Sequence, residues 1–113
     1  NLHLTFHGTN QTRRKQLTCT MRTIEKADKD RIIVVGDFNY PYHRKSLEKL
    51  ITDNNLEEAT SNLLYTLENR LLGLFRIRLK PDYILYRGFT HVETIRDENR
   101  SSDHFPLIAR FSW

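Results

Sequence analysis

The chain has 113 residues and a mass of 13.5 kDa, which leaves room for one domain with one modest core. Lysine and arginine number 18 against 14 acidic residues, and the resulting charge of +4 mildly favours an anionic partner. The only cysteine, Cys19, excludes an internal disulfide and a cysteine-rich zinc site. No apolar run approaches the roughly 20 residues of a membrane span, so we expect a soluble chain, its compartment open and the cytoplasm slightly favoured.

The first half of the chain alternates between predicted strands and helices. Apolar residues alternate with polar ones over residues 2 to 6, which predicts a strand with one apolar face. An amphipathic helix is predicted next, with its N-cap near Asn10 and its end near residue 29. The β-branched run Ile32 to Val35 predicts a strand covered on both faces, and a second helix ends near residues 54 and 55. This order of elements indicates an α/β crossover.

The second half is predicted to be mainly strands. Residues 56 to 67 predict a helix or an irregular loop, and residues 74 to 79 predict a strand. Further strands are predicted at residues 82 to 86, 90 to 95 and 106 to 111. The sequence therefore predicts a single domain of the α/β (α+β) class that spans the whole chain.

Polar side chains suited to phosphate chemistry lie where the predicted strands meet loops: Asp37, Asn39, Asp82, Asp103 and His104. His3, within the first predicted strand, completes the set. A carboxylate can activate water, a second carboxylate can hold a hard divalent cation, and a histidine can stabilise or protonate a developing oxyanion. Oxygen ligands without cysteine partners indicate Mg²⁺, with Mn²⁺ or Ca²⁺ as alternatives, rather than zinc. The set therefore predicts metal-dependent hydrolysis of a phosphodiester.

Four short motifs carry a resemblance to a known family. They are Asn-Leu-His-Leu at residues 1 to 4, Gly-Asp-Phe-Asn at 36 to 39, Asp-Tyr-Ile-Leu at 82 to 85 and Ser-Asp-His-Phe-Pro at 102 to 106. In order and spacing the chain resembles the C-terminal half of the endonuclease/exonuclease/phosphatase superfamily, which includes pancreatic deoxyribonuclease, abasic-site endonucleases, neutral sphingomyelinases and inositol polyphosphate 5-phosphatases. The resemblance implies half of a four-layer α/β/β/α sandwich: one mixed, largely antiparallel sheet covered by two helices on one face.

The resemblance also implies roles for the residues at the first two motifs. Asp37 would position or deprotonate the attacking water, and Asn39 would hydrogen-bond the scissile phosphate. His3 matches the histidine that several members of the superfamily place on the other side of the phosphate as a general acid. A strand histidine that makes a core hydrogen bond is the alternative for His3.

The two later motifs are implied to supply metal and phosphate contacts. Asp103, together with Asp37, would bind the metal ion. His104 would contact the phosphate, oriented and kept basic by the carboxylate of Asp82. The superfamily's principal metal-binding glutamate belongs to its N-terminal half, and no residue of this chain obviously replaces it.

Basic and aromatic residues suggest what the substrate is. The helix that begins near residue 10 carries Arg13 and Arg14. These arginines either contact substrate phosphate or belong to a solvated face of the helix. Tyr40 or Tyr42 could stack on a base, although loop packing is the more common role of such residues. Basic residues tilt the prediction toward a nuclease: Arg13, Arg14, Lys15, Arg44, Lys45, Arg76, Arg78 and Arg100. A phospholipid or an inositol phosphate is the alternative substrate.

The sequence also suggests that the domain needs a partner. A hydrophobic content of 38% is low for a chain that must bury both faces of a sheet. We expect one sheet face to stay open, and either the missing half or a second copy of this chain to cover it. The competing hypothesis is a non-catalytic half-domain that acts as a dimerising or binding module.

Overall fold

The computed structural model describes residues 1–26, 29–40, 44–99 and 101–113. These residues form an α/β fold, which confirms the predicted fold class. The elements are β1 (Leu2–His3), α1 (Asn10–Lys26), β2 (Ile32–Asp37), α2 (Lys45–Asp53), β3 (Glu57–Glu58), β4 (Leu67–Leu71), β5 (Phe75–Leu79), β6 (Asp82–Arg87), β7 (Thr90–Arg96) and β8 (Leu107–Ser112).

A four-stranded sheet with the strand order β1-β2-β6-β3 forms the centre of the molecule. Strand β1 runs parallel to β2, while β6 is antiparallel to both β2 and β3, so the sheet is mixed and largely antiparallel as predicted. The expectation that residues 90 to 95 and 106 to 111 belong to this sheet is wrong. Strands β7 and β8 pair only with each other among the described residues, and the short β3 takes the sheet edge instead.

Both helices pack on one face of the sheet. Because side chains alternate along a strand, β2 and β6 each send every second residue toward the helices. The apolar core on this side contains Leu17, Met21, Leu47 and Ile51 from the helices and Ile32, Val34, Tyr83 and Leu85 from the strands. This arrangement is the predicted one of two helices on one face.

The opposite face is partly covered, which corrects the expectation of a fully open face. Its buried residues Ala59, Ile84 and Tyr86 pack against apolar side chains of the β7–β8 hairpin, among them Leu107 and Phe111. A gap with a volume of about 310 Å³ remains between the sheet and the hairpin, lined by Val35, Gly36, Asp82, Tyr83, Ile84, Phe105 and Leu107. Ile33 on the same face of β2 is 44% exposed. The β7–β8 hairpin therefore covers only part of the sheet face that was expected to be open.

Strand β1 is shorter than predicted because an arginine redirects the chain after Leu4. The Arg13 guanidinium donates hydrogen bonds to the carbonyl oxygens of Thr5 and Phe6, at 2.9 and 2.7 Å, and to the side chain of Asn10 at 2.8 Å. Phe6 consequently leaves the apolar face of the strand and is 73% exposed. The start of α1 fits the prediction closely, since the backbone N–H of Thr12 donates to the Thr9 hydroxyl.

The region from residue 56 to residue 80 is where the sequence-based assignment fails most. Of the two alternatives for residues 56 to 67 the helix is wrong and the irregular loop is closer, because this stretch holds the short β3, turns and the first residue of β4. Strand β4 was missed since Leu-Glu-Asn-Arg-Leu has neither strict alternation nor a β-branched residue. The strand predicted over residues 74 to 79 is confirmed as β5, and pairing with β5 is what holds β4 extended.

Some predictions fall outside the described residues. These concern residues 27 and 28 of the first predicted helix, the stacking role of Tyr42, and Arg100, one of the basic residues that favour a nuclease. Within the described part of the chain, neither helix has the length and apolar character that crossing a bilayer requires.

Candidate active site

Three strands bring polar side chains together at one edge of the central sheet. In the strand register His3 is the partner of Asp37, and Asp37 is the partner of Asp82, so the three residues stand in one row across β1, β2 and β6. Residues paired in this way project to the same face of a sheet. The close approach of β1 depends on Gly36 (φ +147°), where a Cβ atom would lie 1.7 Å from the carbonyl oxygen of Leu2.

Asp82 and His104 form a hydrogen-bonded pair at the base of this edge. The Nδ1 atom of His104 lies 2.8 Å from Oδ2 of Asp82, and the Thr66 hydroxyl donates to the same oxygen at 2.7 Å. The backbone N–H of Asp82 donates to the Thr66 hydroxyl at 3.1 Å, which fixes the orientation of that group. With Nδ1 directed at the carboxylate, Nε2 is the ring nitrogen left for other partners.

The main chain around His104 is held against the start of β4. His104 forms an antiparallel bridge with Leu67, and the N–H of Phe105 donates to the carbonyl of Thr66 at 2.8 Å. The Ser102 hydroxyl accepts a hydrogen bond from the His104 N–H at 3.0 Å. Thr66 is thus a site residue that sequence reasoning missed, because a threonine in a stretch of unclear structure carries no signal of its own.

Burial raises the pKa of Asp82 above its ordinary value, although hydrogen bonds from Thr66 and His104 act in the opposite direction. We therefore expect Thr66→Val, which removes one of these bonds, to raise the pKa of Asp82 further. Carboxyl ¹³C NMR titration of both proteins would measure it. A Thr60→Val variant is the matched control, because the Thr60 hydroxyl donates to Glu58 and not to Asp82. A Thr66→Val titration shifted to lower pH would contradict the assignment.

The opposite side of the site is built by Asp37, Asn39 and His3. Oδ1 of Asp37 accepts the backbone N–H of Asn39 at 2.8 Å, and Oδ2 lies 3.8 Å from Nε2 of His3. Asn39 is buried with φ +50°, a conformation that asparagine tolerates better than most residues, and its amide donates to the carbonyl of Leu4 at 2.7 Å. The side chain of His3 is 75% exposed, so it does not make the buried core contact considered as its alternative.

These groups surround one cleft with a volume of about 330 Å³. Its lining consists of His3, Phe6, Asp37, Asn39, Leu67, Leu79, Pro81, Asp103 and His104. Five of the six polar residues predicted from the motifs line the cleft, and the sixth, Asp82, is hydrogen-bonded to one of them. The structure therefore brings the set together, while the chemical role of each residue stays a prediction.

A metal ion could be held by Asp37, Asp82 and His104. One ligand atom from each of these residues lies within 4.8 Å of the other two. Asp103, which was predicted to bind metal together with Asp37, is not part of this group among the described residues, although it lines the cleft. The amide of Asn69 donates to Oδ2 of Asp103 at 3.3 Å.

The residues predicted to contact substrate from outside the strands have other surroundings. The Arg13 guanidinium binds the three protein oxygens described above, and neither Arg13 nor Arg14 lines the cleft. Arg14 is exposed on α1. Tyr40 is fully buried and its hydroxyl donates to the carbonyl of Asn10 at 2.7 Å, so of its two alternatives the structure favours packing over stacking on a base.

The fold is shared with a phosphatase of known structure. The chain superposes along its whole length on a mannosyl-6-phosphatase from Bacteroides thetaiotaomicron, with a TM-score of 0.70, 18% sequence identity and coverage of 50% of that protein. The chain thus spans half the length of this neighbour. No protein-family model matches the sequence, and no curated protein matches it. At this level of identity the likeness establishes a common fold.

Proposed function

We propose that the chain carries part of the active site of a phosphoester hydrolase of the endonuclease/exonuclease/phosphatase superfamily, and that its substrate is a phosphodiester. The observation that carries the proposal is the Asp82–His104 pair, which lies within 4.8 Å of an Asp37 carboxylate oxygen beside a cleft that His3 and Asn39 also line. The shared fold with a phosphatase supports hydrolysis of a phosphoester. That neighbour is named for its action on a sugar phosphate. The choice of a diester for this chain therefore rests on the chain's own motifs.

The side chains that line or adjoin the cleft divide the chemistry among them. The Asp37 carboxylate accepts a proton from the attacking water or fixes its position, and its bond to the Asn39 N–H keeps it pointed into the cleft. Nε2 of His104 contacts the phosphoryl oxygens, while Asp82 holds the ring in one orientation. The exposed His3 can protonate the leaving oxygen, and Asn39 helps to hold the phosphate.

Asp37 and Asp82 provide the oxygen ligands that a divalent cation of the Mg²⁺, Mn²⁺ or Ca²⁺ class prefers. The residues fit such an ion, with Asp37 as the principal ligand, because Asp82 already accepts two hydrogen bonds through Oδ2. When bound, the ion would neutralise charge on the phosphoryl group. Two carboxylates rarely hold Mg²⁺ without a substrate phosphate or a further ligand, so we expect the isolated chain to bind it weakly.

An assay with three diester substrates and one monoester tests the proposal. Bis(p-nitrophenyl) phosphate, plasmid DNA and sphingomyelin vesicles would be incubated with the chain, with and without Mg²⁺, alongside p-nitrophenyl phosphate as the monoester. We expect cleavage of at least one diester that EDTA abolishes and that exceeds cleavage of the monoester. Activity confined to the monoester would contradict the choice of a diester. Nuclease activity is the outcome that the net charge of +4 favours.

The partly covered sheet face bears on assembly. The gap beside Val35 and Leu107 and the exposed Ile33 leave apolar surface that the missing half of a sandwich or a second copy would bury. We propose that the active form contains such a partner. Light scattering at micromolar concentration is expected to give a dimer mass, and the exchange Ile33→Lys should return it to a monomer. A wild-type monomer that binds no hydrophobic dye would contradict this.

A further inference from the structure

The hairpin formed by β4 and β5 ends in an apolar tip that the proposed site does not use. The apolar tip consists of Leu71, Leu72, Leu74 and Phe75, whose exposed fractions are 53%, 84%, 80% and 66%. Four large apolar side chains within five residues, around Gly73, are more than the scattered single exposures that are normal on a protein surface. Such a cluster indicates a surface that binds another apolar surface, either of a protein or of a membrane.

The two faces of the hairpin differ in polarity. In the register, Leu67 pairs with Leu79, Asn69 with Ile77 and Leu71 with Phe75, so one face is apolar apart from a single asparagine. This face, together with Phe6, lines a second cleft of about 390 Å³, which shares Phe6, Leu67, Leu79 and Asp103 with the lining of the candidate active site. A mostly apolar surface, interrupted by Asn69, Arg70 and Asp103, therefore runs from the active-site cleft to Leu71 at the base of the apolar tip.

The other face of the hairpin is basic. It carries the pairs Glu68 with Arg78 and Arg70 with Arg76. Arg78 forms an ion pair with Glu68 at 2.7 Å, whereas neither Arg70 nor Arg76 forms an ion pair with any described residue. Residues 69 to 80 contain no acidic residue. Two exposed guanidinium groups thus lie immediately behind the apolar tip.

The backbone at the tip shows that folding does not require a leucine there. Leu72 has φ +52° and Gly73 has φ +70°, and the N–H of Leu74 closes the turn on the carbonyl of Leu71 at 3.1 Å. Two consecutive residues with positive φ favour Asn-Gly, and a bulky side chain is unfavourable at the first position. Leu72 has a strained backbone and a side chain that is 84% exposed, so a leucine at this position does not stabilise the fold.

We propose that the apolar tip docks into the interface of an anionic phospholipid bilayer, with Arg70 and Arg76 on the lipid phosphates. Aliphatic side chains enter the acyl boundary while basic residues behind them bind anionic headgroups, and this hairpin has that order of groups. Nucleic-acid surfaces instead use aromatic stacking and polar contacts, and the tip offers one aromatic ring. Docking itself is independent of the proposed function. Docking would also turn the active-site cleft toward the phosphodiester of a phospholipid, and this second step rests on the proposed function.

Flotation of the 113-residue chain with vesicles tests the docking without measuring hydrolysis. Vesicles of phosphatidylcholine with about 30% phosphatidylserine would be compared with pure phosphatidylcholine. We expect binding to the anionic vesicles, reduced at least about tenfold by Leu72→Asn combined with Leu74→Ser, since each change removes one apolar side chain that docking would bury in the bilayer. Arg70→Gln with Arg76→Gln should bring binding to anionic vesicles down to the level on neutral ones.

Two controls separate docking from unfolding and from general stickiness. Leu72→Asn by itself should leave the urea midpoint unchanged or higher, because asparagine suits positive φ better than leucine. Leu64→Ser, at a residue that is 92% exposed outside the hairpin, should change vesicle binding by no more than about twofold. The proposal is overturned by absence of vesicle binding, by equal losses in the tip and Leu64 variants, or by tip variants that lose DNA binding and keep vesicle binding.

Discussion

Replacing His104 with alanine is expected to reduce phosphodiester hydrolysis by about 10²- to 10⁴-fold, which is the usual contribution of a positioned acid or base. The ring lies at the cleft wall with Nδ1 fixed 2.8 Å from the Asp82 carboxylate, so alanine removes an imidazole that the fold holds in a set orientation there. Asp37→Asn should cause a loss of similar size, because an amide cannot accept the proton of the attacking water. Initial rates on the best diester substrate would measure both effects.

The matched control is Asp53→Asn, which removes a carboxylate from the exposed end of α2, where it pairs with Lys49 at 3.0 Å. We expect this variant to keep full activity. Neither His104→Ala nor Asp37→Asn should lower stability by more than a small amount, since neither side chain is part of the apolar core. If both variants retain the wild-type rate in an active preparation, the proposed site is wrong.

Exchanging Glu58 for glutamine is expected to destabilise the fold by about 3–5 kcal/mol, the usual cost of leaving a buried charge without its partner. Glu58 accepts Lys80 Nζ at 2.7 Å and an Arg44 guanidinium nitrogen at 2.6 Å, and only 8% of Lys80 is exposed. Burial opposes ionisation of Glu58, but the two cations outweigh it and hold its pKa below the ordinary value. Urea unfolding at neutral pH would measure the loss.

The pH dependence of this effect has a definite sign. Because the pKa of Glu58 is lowered in the folded chain, its contribution is complete above the ordinary value of 4.5 and is lost as the pH falls through the folded pKa. The difference between wild type and Glu58→Gln should therefore shrink in acid. Glu48→Gln is the control, since Glu48 is 59% exposed and lies 3.9 Å from Arg44, and we expect it to change stability by less than about 1 kcal/mol. Equal urea midpoints for wild type and Glu58→Gln would contradict the prediction.

The ion-paired group of Glu58, Arg44 and Lys80 also links the stability of the fold to the candidate active site. Lys80 directly precedes Pro81 and Asp82, and its ammonium donates to the carbonyl of Thr60 at 2.5 Å as well as to Glu58. The carbonyl of Pro81 accepts the N–H of Phe38 at 2.8 Å, which ties the start of β6 to the end of β2. A partly unfolded Glu58→Gln variant would thus lose the alignment of Asp82 with Asp37. Nothing in the sequence pattern distinguishes Glu58 from a solvated acidic residue.

The sequence by itself determined the features that depend on local order. Continuous and alternating apolar runs give β2 and β6, helical spacing gives α1 and α2, and short motifs place Asp37, Asn39, Asp82, Asp103 and His104 at strand ends. Such features depend on neighbours within a few positions along the chain. For that reason the fold class and the residues of the cleft could be predicted.

Only the tertiary structure decided which distant groups meet. Strand β3 pairs with β6 while β7 and β8 pair with each other, and local sequence patterns do not select among such partners. The hydrogen bonds from Tyr40 to Asn10, from Arg13 to two backbone carbonyls and from Thr66 to Asp82 join residues 7 to 30 positions apart. Hydrogen bonds of this kind depend on positions in space, and the same residue types in another fold would have other partners.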